Sequence, residues 1–297
     1  MTALNETQIL EVCGANFLPS THARKALQPQ SPEKIQMLVG IFLACMAAAS
    51  LIVAIGVDSM KRYDNEHNRS GLSPSAMTLL AATLKLQMDP NQLMLIVINV
   101  FIGLQQAFFG ADFTAAFVSC VIGTGNIGFV MITFGIANAV GCIVTGYISK
   151  VGKYTEPGRV LAVTGRFPLI CMAVILQAGL LVSILTWKPH PGDAYLLYVI
   201  AVLWGLCDSV WIIQINAYYG VLFPGREEAA FSSYRLWESF GYIIAYVMSP
   251  YLRAEAKIYL LIAMMTVGTT CYFVVEYMDR RKKKLQEKNY AELTKVQ

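Results

Sequence analysis

Seven long apolar segments dominate this chain and restrict the folds open to it. Each has about 20 residues with few charges, the length that an α-helix needs to cross the hydrocarbon core of a bilayer. Lipid offers the backbone no hydrogen-bond partners, so spans of this length fold as α-helices. The sequence therefore predicts an all-α, polytopic transmembrane helical bundle of about seven spans. These are Ile35–Val57, Gln92–Phe113, Asn126–Ile148, Leu161–Trp187, Ala194–Phe223, Ala229–Leu252 and Lys257–Met278.

Composition supports a membrane protein. The 297 residues are 56% hydrophobic and 14% charged, whereas soluble domains carry about 25% charged residues. This composition excludes an ordinary soluble enzyme. The predicted organisation is an outer tail (1–34), a first transmembrane helix (35–57), a cytosolic linker (58–91), a six-helix transmembrane lobe (92–278) and a basic cytosolic tail (279–297). A Ser-Pro pair at Ser73 starts a leucine-rich helix in the linker, either on the membrane surface or packed as a short connector.

Basic residues predict the orientation. The run Arg280–Lys284 is strongly basic, which places the C-terminus in the cytosol. An odd number of spans then puts the N-terminus outside, together with the uncharged loop Thr114–Gly125. The outer tail contains the N-glycosylation triplet Asn5-Glu6-Thr7. Cys13 and Cys120 also fall outside, where oxidising conditions allow them to pair. We expect an integral protein of the plasma membrane or, as second choice, of an endosomal membrane.

Catalytic motifs are absent from the sequence. The histidines His22, His67 and His190 lie in tails or loops, and no metal-binding, phosphate-binding or nucleophile motif is present. We therefore expect no enzyme, no cofactor and no metal site. The basic residues follow membrane topology, so nucleic acid is not an expected partner. The expected partners are therefore membrane lipid, another membrane protein or a second copy of this chain.

Asp208 is the strongest local signal for a functional site. Trp204, Asp208, Trp211 and Ile215 recur at helical spacing and share one face. A charge at the bilayer centre costs roughly 2.5 kcal/mol or more, so this carboxylate faces other helices or a wet cavity. It is either a cavity-lining acid that takes a proton, a cation or a partner helix, or a structural carboxylate satisfied by neighbouring hydroxyls or an arginine.

Other polar residues accompany Asp208 inside the spans. We expect Gln214 and Asn216 to form hydrogen bonds between helices. Arg235 and Glu238 are spaced i, i+3 and can pair on one helix, either as a structural clamp or as a gate or substrate contact.

Gln105, Gln106 and Asp112 lie near the outer end of the second span, with Gln105 and Asp112 on one face and Asp112 expected at the water boundary. Further along, Gly146, Lys150 and Gly152 predict a tight cytosolic turn between helices. Their spacing resembles the loop motif of the major facilitator superfamily, Gly-x-x-x-Asp-Arg-x-Gly-Arg, with Ser149 in place of the usual Asp.

Several runs of sequence resemble the uncoordinated-93 (Unc-93-like) family, a branch of the major facilitator superfamily. The runs are Cys13–Asn16, Ala111–Thr114, Ile127–Met131, Trp204–Trp211, Gln214–Asn216, Tyr219–Phe223 and Ala229–Ser239, and the last three are the most specific. The resemblance implies two six-helix lobes, of which this chain matches the last helix of the first lobe and all of the second. It departs from the family by lacking the first five helices, which makes a fragment a serious alternative, and by having Ile213 where the family has Thr.

The resemblance also implies a function. Some relatives are regulatory subunits of two-pore potassium channels, and others escort innate immune receptors out of the endoplasmic reticulum. We therefore expect a non-enzymatic membrane regulator or escort. Secondary transport is the alternative, although alternating access needs two lobes moving about a midplane site. In a third interpretation the polar residues only hold the bundle together.

Overall fold

A computed structural model describes residues 13–18, 32–56, 76–154 and 166–296. These residues form eight helices of more than ten residues and three short 3-10 turns, and no strand is present among them, in agreement with the all-α prediction. The helices are α1 Pro32–Gly56, α2 Ala76–Leu86, α3 Pro90–Ile122, α4 Ile127–Tyr154, α5 Arg166–Thr186, α6 Ala194–Leu222, α7 Glu227–Met248 and α8 Ala254–Val296.

In the described part of the chain, six helices are long and apolar enough to cross a membrane: α1, α3, α4, α5, α6 and α8. The predicted sixth span corresponds to α7, whose 22 residues extend over about 33 Å. This helix is long enough to span, but residues such as Arg235 and Glu238 make it too polar to qualify by composition. The count of seven is thus six apolar helices and one polar helix of spanning length.

Glycines allow the helices of the bundle to approach closely. Helix α6 packs against α4 and α5, and helix α3 packs against α7 and α8. Gly205 of α6 lies against the backbone of α4 at Phe134, where a Cβ would come within 2.6 Å of the carbonyl oxygen. Gly103 of α3 and Gly241 of α7 face each other in the same way. Small residues at such crossings are typical of membrane helices, because association there depends on close packing.

Helix α3 extends well beyond its predicted end. The expected boundary at Phe113 and the loop Thr114–Gly125 are wrong, because residues Phe108–Ser119 continue the helix with π-helical hydrogen bonding. The first part of the uncharged stretch is largely buried, with Phe117 and Val118 fully enclosed, so its apolar side chains keep that part inside the bundle. The chain turns only at Gly123, whose φ of +84° favours glycine.

Helix α4 also continues past its predicted end. The expected tight turn around Gly146, Lys150 and Gly152 is wrong, since the backbone stays helical to Tyr154. The glycines therefore lie in the last turns of a helix, where the backbone hydrogen bonds of α4 override the local preference of glycine for turns. The predicted helix in the linker is present as α2. It packs as a connector, and its position on the membrane surface stays a prediction. Leu86 is buried as α2 packs on α7, while Leu80 and Leu84 remain exposed.

A disulfide ties the start of the described chain to the bundle. Cys13 and Cys120 are bonded, with their Cα atoms 5.9 Å apart, so the pairing that the sequence allowed is present. The backbone N–H of Ala254, at the start of α8, donates to the carbonyl of Phe17 at 3.1 Å. Residues 13–18 are thereby fixed across the ends of α3 and α8.

The first helix and the basic end of the last helix are exposed. Every side chain that the structure describes in α1 is exposed. Helix α8 runs unbroken for 43 residues and carries the basic cluster beyond its apolar part. The predicted orientation of the two termini is not tested by these contacts and stays a prediction.

Candidate functional site: a polar cluster within the bundle

Asp208 lies in the middle of α6, on the side of the helix that faces the bundle. Its side chain is 2% exposed, and Trp204, Trp211 and Ile215 on the same face are fully buried. The face predicted from helical spacing is therefore the buried face of α6.

Three side-chain amides donate hydrogen bonds to the Asp208 carboxylate. Gln105 and Gln106 of α3 both donate through Nε2 to Oδ1, the second at 2.9 Å. Asn138 of α4 donates through Nδ2 to Oδ2 at 2.6 Å. The structural alternative of hydroxyl or arginine partners is thus wrong in its chemistry, because the partners are neutral amides from two other helices.

A second layer of hydrogen bonds orients these amides. The indole Nε1–H of Trp204 donates to Oε1 of Gln105 at 2.6 Å. An indole can only donate, so this contact fixes which end of the Gln105 amide faces Asp208. The hydroxyl of Tyr242, on α7, donates to Oε1 of Gln106. The network consequently joins α3, α4, α6 and α7 around one carboxylate.

Sequence reasoning missed two members of this cluster, Asn138 and Tyr242. Asn138 is a polar side chain inside a predicted apolar span, which is the signal that could have identified it. Tyr242 gave no such signal, because tyrosine is common in apolar segments near interfaces.

Arg235 and Glu238 form the predicted ion pair on α7. Nη1 of Arg235 lies 2.7 Å from Oε2 of Glu238, with the side chains 66% and 6% exposed. The Tyr234 hydroxyl donates to the other carboxylate oxygen at 3.2 Å, and the guanidinium lies over the Tyr234 ring, 5.2 Å from its centroid. The buried carboxylate is thus satisfied while the arginine stays accessible at the surface of the helix.

Two adjacent rows of side chains run along the outside of α7. The polar row is Arg235, Ser239, Tyr242 and Tyr246, and the apolar row is Leu236, Phe240, Ile243 and Val247. Both rows have the spacing i, i+4, i+7, i+11 of one helix face. Every member is exposed except Tyr242, which is half-buried. The surface of α7 is therefore divided lengthwise into a polar and an apolar strip.

Asp112 does not lie at a water boundary, so that expectation is wrong. Its carboxylate is 4% exposed and lies 2.6 Å from Nζ of Lys257, which is 7% exposed. The Ser249 hydroxyl also donates to Asp112 at 2.7 Å, and Lys257 donates to the Ser249 carbonyl at 2.9 Å. Folding buries Asp112 because a cation from α8, which sequence reasoning did not assign to it, compensates its charge.

The remaining predicted residues have separate surroundings. Gln214 donates to the Ser149 hydroxyl at 2.7 Å and so bridges α6 and α4 as expected. Asn216 donates to the carbonyl of Ile212 in its own helix, so its predicted role between helices is wrong. The Trp211 ring packs edge-on against Phe101, with centroids 5.6 Å apart, and does not join the amide network around Asp208.

Two further sets of predictions concern residues that the structure does not fully describe and the absence of a metal site. Asn5, the predicted glycosylation site, lies outside the described residues, and so does the side chain of Lys150. Among the residues that are described, no group of three or more His, Cys, Asp and Glu side chains is placed to hold a metal ion.

A known family matches most of this chain. The family described as "Ion channel regulatory protein UNC-93" matches residues 12–273. The chain belongs to the UNC-93 family. The resemblance found in the sequence runs is thus confirmed, and the matched region contains every candidate site residue except Asn5. With six helices of spanning length and composition, this UNC-93 chain is an integral membrane protein.

Individual UNC-93 relatives cover about the same region. Protein unc-93 homolog A of Xenopus laevis is 32% identical over 269 residues, 90% of this chain and 56% of the relative. The Bos taurus homolog A is 33% identical over 92% of this chain and 57% of the relative. The Caenorhabditis elegans protein named "Putative potassium channel regulatory protein unc-93" is 29% identical over 92% of this chain and 38% of the relative.

The chain spans about half the length of the curated homolog A relatives that it matches. This coverage agrees with the expected correspondence to a C-terminal half. The family description and the name of the Caenorhabditis elegans relative describe regulation of ion channels, and neither describes an enzyme.

Proposed function

We propose that this chain acts, without catalysis, as part of a regulator of a potassium channel and contacts the channel through the polar strip of α7. The names of the family and of the Caenorhabditis elegans relative support this choice of partner. An escort role for a membrane receptor would use the same kind of contact with a different partner.

The exposed arginine on α7 is the observation that carries this proposal. Helix α7 packs along α3 through Gly103 and Gly241, and α3 has the length and composition of a membrane span, so the two helices share a depth. An arginine facing lipid near the middle of a helix costs roughly 2.5 kcal/mol or more. Arg235 is two-thirds exposed, so its row requires a protein surface or water rather than lipid.

The adjacent apolar row provides a matched comparison. Its four side chains are as exposed as most of the polar row, yet they present only hydrocarbon or phenyl groups and suit contact with lipid tails. A partner helix with complementary polar groups would cover one strip of α7 and leave the other facing the bilayer. The partner's side would need acceptor groups for the Arg235 guanidinium and for the tyrosine hydroxyls.

Site-specific photo-crosslinking tests the proposed contact. A photoreactive amino acid is placed at Tyr246 or, as the matched control one residue further, at Val247, in cells that express potassium channels. We expect protein adducts containing a channel subunit from position 246 and chiefly lipid adducts from position 247. Equal lipid labelling at both positions would exclude a partner on the polar strip. A receptor or a second copy of this chain in the adduct would replace the channel as the partner.

Current recordings test the regulatory part of the proposal. Co-expression with the crosslinked channel should change its current, and Arg235→Ala with Tyr242→Phe should remove that change. The Ile243→Ala variant on the apolar row should leave the effect intact. Identical currents with and without this chain would reject channel regulation even if a contact exists.

Secondary transport is the second candidate function, and the buried carboxylate of Asp208 favours it. A carboxylate that accepts hydrogen bonds from the amides of two neighbouring helices is an arrangement that a coupling site could use. Uptake driven by a cation gradient, lost in Asp208→Asn while the protein still reaches the membrane, would support transport. Unchanged uptake in that variant would remove Asp208 from any transport mechanism.

A further inference from the structure

Asp208 lacks the cationic partner that the other buried carboxylates of the bundle possess. Asp112 pairs with Lys257, Glu238 with Arg235, and Glu276 with Arg280. Within the described residues, Asp208 forms no ion pair, and its hydrogen-bond donors are three neutral amides. Amide donors solvate a carboxylate but do not cancel its charge. The cluster therefore retains one uncompensated acidic group inside the bundle.

The two carboxylate oxygens of Asp208 have different surroundings. Oδ1 accepts from both glutamines, and the Gln105 amide is held in its orientation by the indole of Trp204. Oδ2 accepts only from Asn138. The oxygen of the Asn138 amide is contacted by the Cys142 thiol at 3.5 Å, which is a weak donor. The Asn138 amide is thus the partner least constrained by a second contact.

This asymmetry accommodates both protonation states of Asp208. When the group is ionised, Asn138 donates Nδ2–H to Oδ2. When a proton binds Oδ2, a half-turn of the Asn138 amide places its oxygen to accept that O–H. The two glutamine N–H groups can continue to donate to Oδ1, now the carbonyl oxygen of a neutral acid. One amide rotation therefore keeps every hydrogen bond of the carboxyl group.

The same geometry does not favour a metal ion. Hard cations need several oxygen ligands, but the amide oxygens of Gln105 and Gln106 are already bonded to Trp204 and Tyr242. The amides therefore present N–H groups, and not oxygen ligands, to Asp208. A proton needs only the free electron pair of Oδ2 and the acceptor that Asn138 can supply.

Access to the carboxyl group is possible from the side of the polar strip. Asp208 is buried, but its neighbours Gln106, Asn138 and Tyr242 are only half-buried, so each of these polar side chains adjoins the carboxyl group and also reaches the surface. The other ionisable groups that interact with Asp208 are Tyr234, Glu238 and Tyr242 on α7, Cys142 on α4 and Cys207 on α6. Helix α3 contributes the uncharged Gln105 and Gln106.

We propose that Asp208 is a reversible proton-binding site, in which Oδ2 takes the proton and Asn138 turns its amide to accept the new O–H group. The site holds whether or not the chain regulates a channel, because it depends only on contacts within the bundle. Binding adds one proton and one positive charge to the cluster and requires no other reactant.

Infrared difference spectroscopy of the purified chain in lipid nanodiscs tests this site. Acidification should produce the C=O stretch of a buried carboxylic acid, and the band should be missing from Asp208→Asn but present in Glu227→Gln, a control at a fully exposed carboxylate. In Asn138→Leu, which retains Asp208, the band should move to higher frequency because the acid loses its amide partner. Folding of each variant is checked by formation of the Cys13–Cys120 disulfide.

Two results would overturn the proposal. One is the absence, at every pH where the protein stays folded, of a carboxylic acid band that depends on position 208 or 138. The other is loss of the band at constant pH when choline is replaced by sodium, which would make the site a metal-cation site instead. Neither result depends on a partner, so failure of channel regulation would be seen separately by crosslinking and current recordings.

Discussion

Lys257 and Asp112 form the most deeply buried ion pair of the described residues, with side chains 7% and 4% exposed. Each charge has lost nearly all contact with solvent, and each is compensated by the other and by the Ser249 hydroxyl or carbonyl. In such a pair the cost of removing charges from solvent offsets much of the attraction between them. Removing one partner of the pair should therefore destabilise the fold strongly, whereas replacing both partners together should destabilise it much less.

We expect Lys257→Met to lower stability by about 3 kcal/mol, because it leaves an unpaired carboxylate inside the bundle. Asp112→Leu should cost a similar amount, since it leaves the ammonium group unpaired. The double variant should be more stable than either single variant. Thermal unfolding in detergent, followed by tryptophan fluorescence, measures all three. Additive losses in the double variant would contradict the pairing.

Arg235 illustrates a different balance at the same scale. Its partner Glu238 is buried, but the guanidinium is largely exposed, so exposure weakens the attraction between the two charges. The attraction within this pair is therefore weaker than in the buried pair, and the arginine remains available to another surface. The ion pair predicted from the sequence is thus confirmed. The exposure of Arg235 could not be predicted, because it depends on which helices pack against α7.

At the scale of helices, close contact between α3 and α7 positions the polar cluster. Gly103 lies against the backbone carbonyl of Glu238, and Gly241 lies against that of Val100. Gln105 and Gln106 follow Gly103 on α3, and Tyr242 follows Gly241 on α7. The distance between the two helices therefore sets whether Tyr242 reaches Gln106 and how both glutamines meet Asp208.

Gly103→Ala should destabilise the bundle by about 1–3 kcal/mol, because the added methyl group overlaps the Glu238 carbonyl and forces the helices apart. Gly179→Ala, in α5, is the matched control, since a Cβ there meets no atom within 4 Å. That substitution should be neutral or stabilising by up to about 1 kcal/mol, because alanine favours a helix more than glycine. Melting temperatures compare the two variants. Equal effects would mean that helix propensity, and not packing, controls position 103.

The π-helical part of α3 is a second feature at this scale. It begins two residues after Gln106 and contains Asp112, so one irregular segment connects the Asp208 cluster with the buried ion pair. Phe109, Phe113 and Phe117 stack along it, with successive ring centroids 4.9 and 5.3 Å apart. Segments of this kind are often found at functional sites.

At the scale of the whole molecule, the Cys13–Cys120 disulfide joins two distant parts of the chain. Cys13 and Cys120 are 107 residues apart in sequence, and a bond closing a loop of this length stabilises a fold by about 4–5 kcal/mol in the chain-entropy description. It also holds residues 13–18 against α8 through the Phe17 carbonyl.

Cys13→Ser together with Cys120→Ser should therefore lower the melting temperature substantially, and reductant should have the same effect on the wild type. Cys45→Ser removes an exposed free thiol and serves as the control that should not change stability. Maleimide labelling before and after reduction reports the bond directly. Labelling of both cysteines without reductant would show that the bond does not form in the protein.

The sequence by itself determined the helical class, the positions of most apolar spans, the polar residues within them and the local pair of Arg235 and Glu238. These features follow from lipid's failure to solvate backbone or charge and from the 3.6-residue period, both of which act within one segment. The tertiary structure alone decided which groups meet across helices: Asn138 with Asp208, Tyr242 with Gln106, and Lys257 with Asp112. Such contacts depend on how closely the helices approach and how they are rotated. A segment's own sequence does not specify either quantity, because glycines and side chains of the neighbouring helices set both.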